Sequence, residues 1–430
     1  MLGKTVVFVA SAALTEEVCD EKRFRKLVSG PIKEIRYAVH DSLFTAYDEE
    51  ESWGIHHRII APQLSPQAVA DHFTETLACT NELIAKWAEL SDSGNNKIHP
   101  LPDLNRLNLE ATTLTLFGKK LNCIDAPRPH PMLAGMEDST SEAIQRPTRP
   151  KILNWLLHDA KFKRATAAMR KDYAADIVAY RNEHPELNNR RDLLWTLMNG
   201  ADPASGKSLT PEQVIDEIVC MPIGSSTAPC AITSAIYYMT QFPNVVQTAR
   251  EELDSVLGLP GLGQPITHET ISQLPYLQAL VKETLRMSNA APGFNIEPIP
   301  RENKKDTTPI LLGGGKYQIA HNQALIVVLA GVNRDPTIFE SPNEFKPERW
   351  LDQDKVEKMP SAVKKWFGNG KRECIGKHWA WEFLCVVLAK LLHEVDFEQA
   401  TPEGWELKTD GWFNVRPIDF EARVRMRVVV

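Results

Sequence analysis

The feature that most constrains this chain is a ten-residue loop around one cysteine, Phe367-Gly-Asn-Gly-Lys-Arg-Glu-Cys-Ile-Gly376. The apolar run 379–389 follows it almost at once and predicts a buried helix. Cys374 therefore stands before a helix N-terminus, where the helix dipole and the free amides stabilise a thiolate. Gly370 and Gly376 permit backbone conformations and close approaches that a side chain would block. The loop predicts a site built on the Cys374 sulfur.

The spacing F-x-x-G-x-R-x-C-x-G in this loop resembles the haem-thiolate signature of the cytochrome P-450 family. The resemblance implies that Cys374 is the metal ligand, bound axially to haem iron, because a thiolate is a strong, soft ligand that favours O–O cleavage. It also implies cofactor-binding roles for Phe367, Gly376 and Arg372. Arg372 would meet a haem propionate, a carboxylate that suits the guanidinium fork.

Two further motifs of that family occur in the expected order, E-x-x-R at Glu283-Thr-Leu-Arg286 and a P-E-R-F-like element in Phe345-Lys-Pro-Glu-Arg-Trp350. Glu283 and Arg286 share one face of a helix at this spacing. The resemblance implies that Arg349 joins them in a buried structural network that holds the core around the haem loop. A lone E-x-x-R is usually a solvated surface pair, so the ordered set of motifs carries the prediction.

Further segments are similar to the haem domains of self-sufficient fatty-acid hydroxylases, which are fused to a flavin reductase: 19–24, 43–48, 53–57 and 192–200. By position, Trp53 and His57 match an element whose basic residue reaches a haem propionate. The neighbouring His56 leaves a second register open. Phe44 and Ala291 match positions in the substrate pocket, with plain core positions as the alternative.

The oxygen-binding helix departs from the family pattern A/G-G-x-D/E-T-T/S, because this chain reads Ile223-Gly-Ser-Ser-Thr-Ala-Pro229. We assign Ile223 to the substrate pocket. Thr227 is kept, but Ser226 stands at the acid position, where it can relay a proton through water but cannot supply one. Pro229 has no N–H, so the carbonyl of Ser225 loses its helical partner. We expect a widened, water-filled kink at this point.

The chain as a whole predicts a mostly helical fold with small β sheets, the cytochrome P-450 prism, as a single haem domain over residues 1–430. The first ten residues alternate like a strand, and residues 309–330 suggest a small sheet. Residues 124–150 are rich in proline and charge and predict irregular chain. Helices are predicted at about 65–91, 103–118, 152–184, 210–242 and 268–287, the fourth starting at Thr210 as N-cap.

Composition excludes several classes of function. The net charge of −7 argues against nucleic acid and against an anionic membrane surface as the main partner. Seven unpatterned cysteines favour a reducing compartment. We find no run of 18 or more apolar residues and therefore expect no membrane-spanning segment. The predicted location is cytoplasmic, with peripheral contact to the endoplasmic reticulum as an alternative.

The two ends of the sequence shape the expected partners. Related haem domains have further residues before the strand that Gly3–Ala10 resembles, so the N-terminal segment is expected to be truncated. Lys4 lies where the hydroxylases hold a basic residue for the fatty-acid carboxylate, but Phe8 replaces the partner tyrosine. No reductase sequence follows Val430, so we expect electrons from a separate NADPH-dependent flavoprotein reductase.

The resemblance implies haem b as cofactor and insertion of one oxygen atom from O2 into a small apolar substrate, a fatty acid or a specialised metabolite. Thr227 and Ser226 are the predicted catalytic residues of the proton path. Two alternatives remain open. One is a peroxide-using, isomerising or dehydrating haem-thiolate enzyme that needs no redox partner, and the other is a haem-binding protein without catalysis.

Overall fold

The computed structural model describes residues 5–303, 305–411 and 413–428 of the chain. Its helices are α1 (Ala12–Val18), α2 (Pro31–Val39), α3 (Glu51–Ile60), α4 (Pro66–Ala70), α5 (Phe73–Asp92), α6 (Pro100–Phe117), α7 (Pro131–Gln145), α8 (Lys151–Leu153), α9 (Asp159–Ala167), α10 (Asp176–Glu183), α11 (Leu193–Asn199), α12 (Pro211–Ser225), α13 (Thr227–Gln241), α14 (Pro243–Leu257), α15 (His268–Ile271), α16 (Pro275–Ser288), α17 (Leu329–Val332), α18 (Gln353–Lys358) and α19 (Lys377–Glu394). Its strands are β1 (Val6–Val9), β2 (Phe24–Lys26), β3 (Lys97–Ile98), β4 (Gly293–Pro298), β5 (Ile310–Leu312), β6 (Tyr317–Ile319), β7 (Ala324–Val328), β8 (Val395–Gln399), β9 (Lys408–Asp410), β10 (Arg416–Ile418) and β11 (Ala422–Met426). The prediction of a mostly helical fold with small sheets is confirmed.

Buried helices position the site. The apolar sequence of α19 is buried along most of its length, as its composition predicts, and the helix packs against α5, α14 and α16. α12 begins with a capping box, in which the Thr210 hydroxyl accepts from the N–H of Gln213 and the Gln213 side chain accepts from the N–H of Thr210. Pro211 occupies the first helical position, where a missing N–H costs nothing. The predicted start of this helix is therefore confirmed.

The largest sheet joins strands that are far apart in the sequence, in the order β1-β7-β4-β2. β1 is parallel to β7, with Val6 opposite Ala324, and the other two pairings are antiparallel. β1 lies at the edge of this sheet and has one neighbour among the described residues, β7. β5 and β6 form a hairpin within the predicted sheet region, and two further small sheets are β3-β11-β8 and β9-β10.

Two predictions of secondary structure, one of irregular chain and one of a helix, are wrong in part. The segment 124–150 is not irregular throughout, because α7 lies within it. Pro131 occupies the first position of α7, and small and apolar side chains recur at helical spacing on its buried face, a pattern that the flanking prolines obscured. The predicted helix 268–287 is two helices, α15 and α16, because Pro275 cannot continue the first one and begins the second.

Two long helices are interrupted. The predicted helix 152–184 is helical along its length but contains π-helical segments at Asn154–His158 and Ala168–Ala175. The predicted helix 210–242 is divided into α12 and α13 at Ser226. A break in the oxygen helix was therefore correctly expected.

The stretch Pro211–Gln241 is the one candidate for a membrane span within the described residues, by length and composition alone. In the fold, 78% of its most apolar 18-residue window is buried. Burial in the protein core therefore accounts for the apolar composition of this stretch.

Candidate haem and substrate site

A mostly apolar cavity of about 1020 Å³ brings together most of the predicted site residues. Its lining includes Phe44, Trp53, His57, Thr227, Ala291, Phe367, Arg372, Cys374 and Gly376. The assignment of Ile223 to the pocket is wrong, because its side chain is 2% exposed and packs in the hydrophobic core. Lys4, half of the predicted fatty-acid carboxylate site, lies outside the described residues, whereas Phe8 lines the cavity.

The Cys374 side chain is exposed to this cavity. Its backbone N–H donates to the Phe367 carbonyl over 2.7 Å, and α19 begins three residues later at Lys377. Burial raises the pKa of the Cys374 thiol, and the backbone N–H of Gly376 acts in the opposite sense. Because a coordinated metal ion deprotonates a thiol outright, this sulfur fits a metal-bound thiolate better than a free nucleophile.

The loop that carries Cys374 is held against the segment after α1. The Asn369 amide donates to the Cys19 carbonyl over 2.8 Å, and the Lys371 N–H donates to the Glu21 carboxylate over 2.8 Å. Gly370 has a φ of +58°, and a Cβ added there would lie 2.0 Å from the Glu21 carboxyl carbon. The positive φ favours glycine at this position, whereas the nearby Glu21 carboxylate is the end of a flexible, exposed side chain that can move.

Three predicted propionate-binding side chains lie together. The Arg372 guanidinium lies 5.1 Å from the centre of the Trp53 ring, and the Trp53 and His57 rings are 5.3 Å apart. Arg372 donates to the Ala46 carbonyl over 2.7 Å and lies 3.5 Å from Asp48. Burial lowers the pKa of Arg372 to about 10. The Arg372 guanidinium, with the Trp53 and His57 ring N–H groups near it, fits an anionic group such as the carboxylates of haem.

The two histidines of α3 have different surroundings. His57 lines the cavity, and burial, followed by the charges of Arg58 and Arg372, lowers the pKa of its ring. His56 is fully buried, and its Nδ1 lies 2.5 Å from the Glu217 carboxylate on α12. Of the two histidines, His57 is the one that lines the cavity, and its role toward a propionate stays a prediction.

The two predicted catalytic residues, Ser226 and Thr227, lie at the break between α12 and α13. The Ser226 hydroxyl donates to the Ile223 carbonyl over 2.7 Å and accepts from the Asn414 amide over 2.6 Å. Ser226 is thus engaged within the protein and is absent from the cavity lining. Thr227 lines the cavity, and among the described residues its hydroxyl makes a single hydrogen bond, a long one of 3.4 Å to the Gly224 carbonyl. Of the two predicted catalytic residues, Thr227 lines the cavity and Ser226 does not.

A second polar group lies beside the break. Ser225 lines the cavity, and its hydroxyl accepts from Asn108 over 2.9 Å and from Thr112 over 3.0 Å. α12 ends at Ser225, whose carbonyl would have accepted from residue 229, so the break agrees with the effect predicted for Pro229. A second proline, Pro222, lies inside α12 and was not considered from the sequence.

Comparison with known proteins decides the family, because a family model described as cytochrome P-450 matches residues 1–417. The chain belongs to the cytochrome P-450 family. A bifunctional cytochrome P-450/NADPH–P-450 reductase, ascE, of Acremonium egyptiacum is 33% identical over 430 residues, covering 99% of this chain and 39% of the relative. The self-sufficient cytochrome P-450 monooxygenase CYP505E4 of Penicillium freii is 34% identical, covering 98% of this chain and 39% of the relative. The crystal structure of a cytochrome P-450, CYP102L1, is 26% identical, with a TM-score of 0.88 over 100% of this chain and 94% of that chain.

These findings confirm the predicted family, the P-450 fold and the resemblance to self-sufficient enzymes. The chain spans about two fifths of the length of the curated relatives, whose names join a P-450 to a reductase. Membership in the P-450 family implies haem as the cofactor, and the oxidoreductase class of the prediction is confirmed at the level of the family. The single domain over residues 1–430 and the roles of individual site residues stay predictions.

The P-450 structural network forms as the motifs predict. The Glu283 carboxylate is fully buried and accepts two hydrogen bonds from the equally buried Arg286, over 2.8 and 2.7 Å. Arg349 lies 3.4 Å from the same carboxylate. The sequence analysis overlooked two further donors, the Trp350 indole at 2.9 Å and the Lys346 N–H at 2.7 Å. Trp350 belongs to the third motif, which was the available signal.

Two more residues of this P-450 cavity escaped the sequence analysis. Asn414 lies between β9 and β10 in the chain and lines the cavity. Its amide donates to the Ser226 hydroxyl, 188 residues away, so no local sequence pattern could have predicted this contact. Lys26 ends β2 and also lines the cavity. Its signal was available, because Phe24 and Lys26 are two residues apart in a strand and therefore share a face, and Phe24 is buried.

Proposed function

We propose that this chain is a haem-thiolate monooxygenase that inserts one oxygen atom from O2 into a small apolar substrate. Its electrons would come from an NADPH-dependent flavoprotein reductase, as the names of the reductase-containing relatives suggest. The observation that carries the proposal is that Cys374 and Thr227 line one and the same apolar cavity. Bound haem would supply the redox chemistry and the activation of O2 at this sulfur.

The residues of the chain divide the remaining work. Cys374 would ligate the iron, while Arg372, Trp53 and His57 would hold the propionates. Thr227 would donate and accept protons in the cavity, because Ser226 has its only proton directed at the Ile223 carbonyl. With no carboxylate at the acid position, the protons would have to come from water that enters the cavity.

Apolar side chains would select and orient the substrate. Phe44, Ala291 and Phe8 all line the cavity, which supports an apolar compound of medium size, such as a fatty acid or a specialised metabolite. Phe44 also contacts Phe413 edge to face, with ring centres 5.9 Å apart, so its ring is held in place from the side of β9 and β10. Cytoplasmic localisation, with or without contact to the endoplasmic reticulum, stays a prediction.

A second candidate function is favoured by one observation, the engagement of Ser226. A serine that donates to a backbone carbonyl and accepts from Asn414 is a poor substitute for the usual acid. An enzyme that uses peroxide requires no such acid, since peroxide already carries the reduced oxygen and its protons. The same holds for isomerising or dehydrating haem-thiolate enzymes.

The decisive experiment measures product formation from a panel of fatty acids and specialised metabolites by mass spectrometry under two conditions. One reaction contains NADPH, a flavoprotein reductase and O2, and the other contains hydrogen peroxide alone. Oxygenated product in the first condition only supports the monooxygenase. Product with peroxide only supports the second candidate and refutes the first.

Variants connect the result to the site. Cys374→Ala should lose the carbon monoxide difference band of a haem-thiolate while keeping its helical circular dichroism. Thr227→Ala should lower product formed per NADPH, whereas Thr227→Ser should retain most of it. Thr248→Ala serves as the matched control, because Thr248 is exposed on α14 and is absent from the cavity lining. Equal effects of the substitutions at the two threonines would contradict the proposed proton path.

A further inference from the structure

The Phe44 segment, residues 40–46 between α2 and α3, is held in place by charged side chains from other parts of the fold. Three consecutive carbonyls of the segment each accept a hydrogen bond from a different cation: Phe44 from Lys26 over 2.6 Å, Thr45 from Arg36 over 2.7 Å and Ala46 from Arg372 over 2.7 Å. The three cations lie on β2, on α2 and in the loop before α19. The carbonyl groups of the segment are therefore fixed by three separate elements.

α12 holds the same segment with two adjacent carboxylates. The Glu217 Oε1 atom accepts from the Leu43 N–H over 2.7 Å, and the Asp216 carboxylate lies 3.1 Å from Nδ1 of His40. Both carboxylates are buried. Leu43 directly precedes Phe44, and both residues line the cavity. The Glu217 carboxylate therefore fixes the backbone next to the Phe44 ring.

Glu217 also pairs with His56 of α3, and this pair is costly to bury. The same Oε1 atom lies 2.5 Å from Nδ1 of His56. Both side chains are fully buried, and among the described residues neither Oε2 of Glu217 nor Nε2 of His56 has a hydrogen-bond partner. Apolar replacements of a buried ionisable pair are often at least as stable as the pair itself. Stability alone therefore does not account for the pair, whereas its hydrogen bond to Leu43 gives it a role at the cavity.

We propose that Glu217 is a positioning residue that fixes the Phe44 ring and thereby sets the size of the ligand that fits in the cavity. The carboxylate acts through the Leu43 N–H, and His56 keeps the carboxylate in this position. The Phe44 ring packs edge to face on Phe413, with ring centres 5.9 Å apart, so a shift of its backbone would change the free space in the cavity. The inference rests on the proposed function, in which Phe44 orients the substrate, and it adds a residue outside the cavity lining.

Three variants test the role of the carboxylate. Glu217→Leu removes the acceptor of the Leu43 N–H, whereas Glu217→Gln keeps a carbonyl oxygen that can accept from it. The double variant Glu217→Leu with His56→Leu removes both buried ionisable groups, so that the test can be made even if Glu217→Leu alone does not fold.

Glu110→Leu is the matched control. The Glu110 carboxylate is also fully buried, and it accepts from the N–H groups of Leu121 and Cys123, each over 2.7 Å. Glu110 is absent from the cavity lining. The control therefore separates a general loss of stability from an effect on the Phe44 segment.

The first measurement is hydrogen–deuterium exchange of the haem-loaded protein, followed by mass spectrometry. Glu217→Leu and the double variant should accelerate exchange at Leu43 about tenfold or more, because a hydrogen bond to a charged group is lost. Glu217→Gln should retain slow exchange there. Glu110→Leu should accelerate exchange at Leu121 and Cys123 and leave Leu43 unchanged.

The second measurement is optical titration of the haem-loaded protein with imidazole and with 4-phenylimidazole. Both compounds bind haem iron and differ by one phenyl ring, so the ratio of their dissociation constants reports the room in the cavity. Phe44→Ala calibrates this ratio and should change it about tenfold. Glu217→Leu and the double variant should change it in the same direction, about threefold or more. Glu217→Gln and Glu110→Leu should keep the ratio of the wild type.

Faster exchange at Leu43 together with a shifted ratio supports the inference. Unchanged exchange at Leu43 in the double variant overturns it, because Glu217 then does not hold the segment. An unchanged ratio overturns it as well, because the contact is then structural only. Neither measurement requires turnover, so a wild type that forms no oxygenated product would refute the proposed function and would be distinguished from a failure of this inference.

Discussion

Replacement of Glu283 by glutamine tests whether the buried network holds the fold as its geometry indicates. The Glu283 carboxylate is fully buried and receives five donors, two from Arg286 and one each from Arg349, Trp350 and the Lys346 backbone. Glu283→Gln keeps the volume, removes the charge and turns one acceptor into a donor. Arg286, itself fully buried, would lose its counter-ion. The expected loss is about 3–5 kcal/mol of unfolding free energy, a large part of the roughly 5–15 kcal/mol typical of folded proteins.

The assay is urea unfolding of the haem-loaded protein followed by far-ultraviolet circular dichroism. The control is Glu51→Gln, because Glu51 lies 2.7 Å from Lys207 in a pair whose side chains are 64% and 56% exposed. That control should change stability by less than about 1 kcal/mol. A double variant, Glu283→Leu with Arg286→Met, should lose less than Glu283→Gln, since it removes the fully buried Arg286 charge together with its counter-ion. A loss for Glu283→Gln no larger than that of the control would refute the reasoning.

Three further predictions follow from the structure. Ser226→Asp should raise product formed per NADPH severalfold, because a carboxylate at this position can supply protons; an unchanged ratio of product to NADPH would contradict this account of the helix. Pro222→Ala should raise the unfolding free energy by up to about 3 kcal/mol, since Pro222 lies inside α12. Pro229→Ala should change it by less than about 1 kcal/mol, since Pro229 lies in the first turn of α13. The urea midpoints of the two variants test this difference in stability. Burial raises the pKa of Glu382 from 4.5 to about 7 despite its contact with His268 at 2.8 Å. The contribution of protonated Glu382 to the unfolding free energy is therefore complete below about pH 4.5 and is lost as the pH rises through about 7. Above that pH, Glu382→Gln should be more stable than the wild type by roughly 2–3 kcal/mol. Unfolding curves at pH 5 and at pH 8 would measure the difference.

Partner choice for single side chains could not be predicted from the sequence. His56 and His57 are adjacent and chemically identical, yet one is paired with Glu217, 161 residues away, and the other faces the cavity. Arg25 and Lys26 are likewise adjacent cations with opposite surroundings. In each case the strand or helix sets the direction of the side chain, but distant segments decide what it meets.

The chemistry at the centre of the fold could be predicted from the residues alone. The motif around Cys374 and the set Glu283, Arg286 and Arg349 were sufficient for the family, because the residue types that bind haem and hold its loop recur at constrained local spacings. The packing of remote segments, in contrast, directs the Ser226 proton to the Ile223 carbonyl and the Lys26 ammonium group to the Phe44 carbonyl. The reason is physical: a side chain's charge state and hydrogen bonds depend on burial and on groups from remote segments, and neither is encoded in the residues next to it.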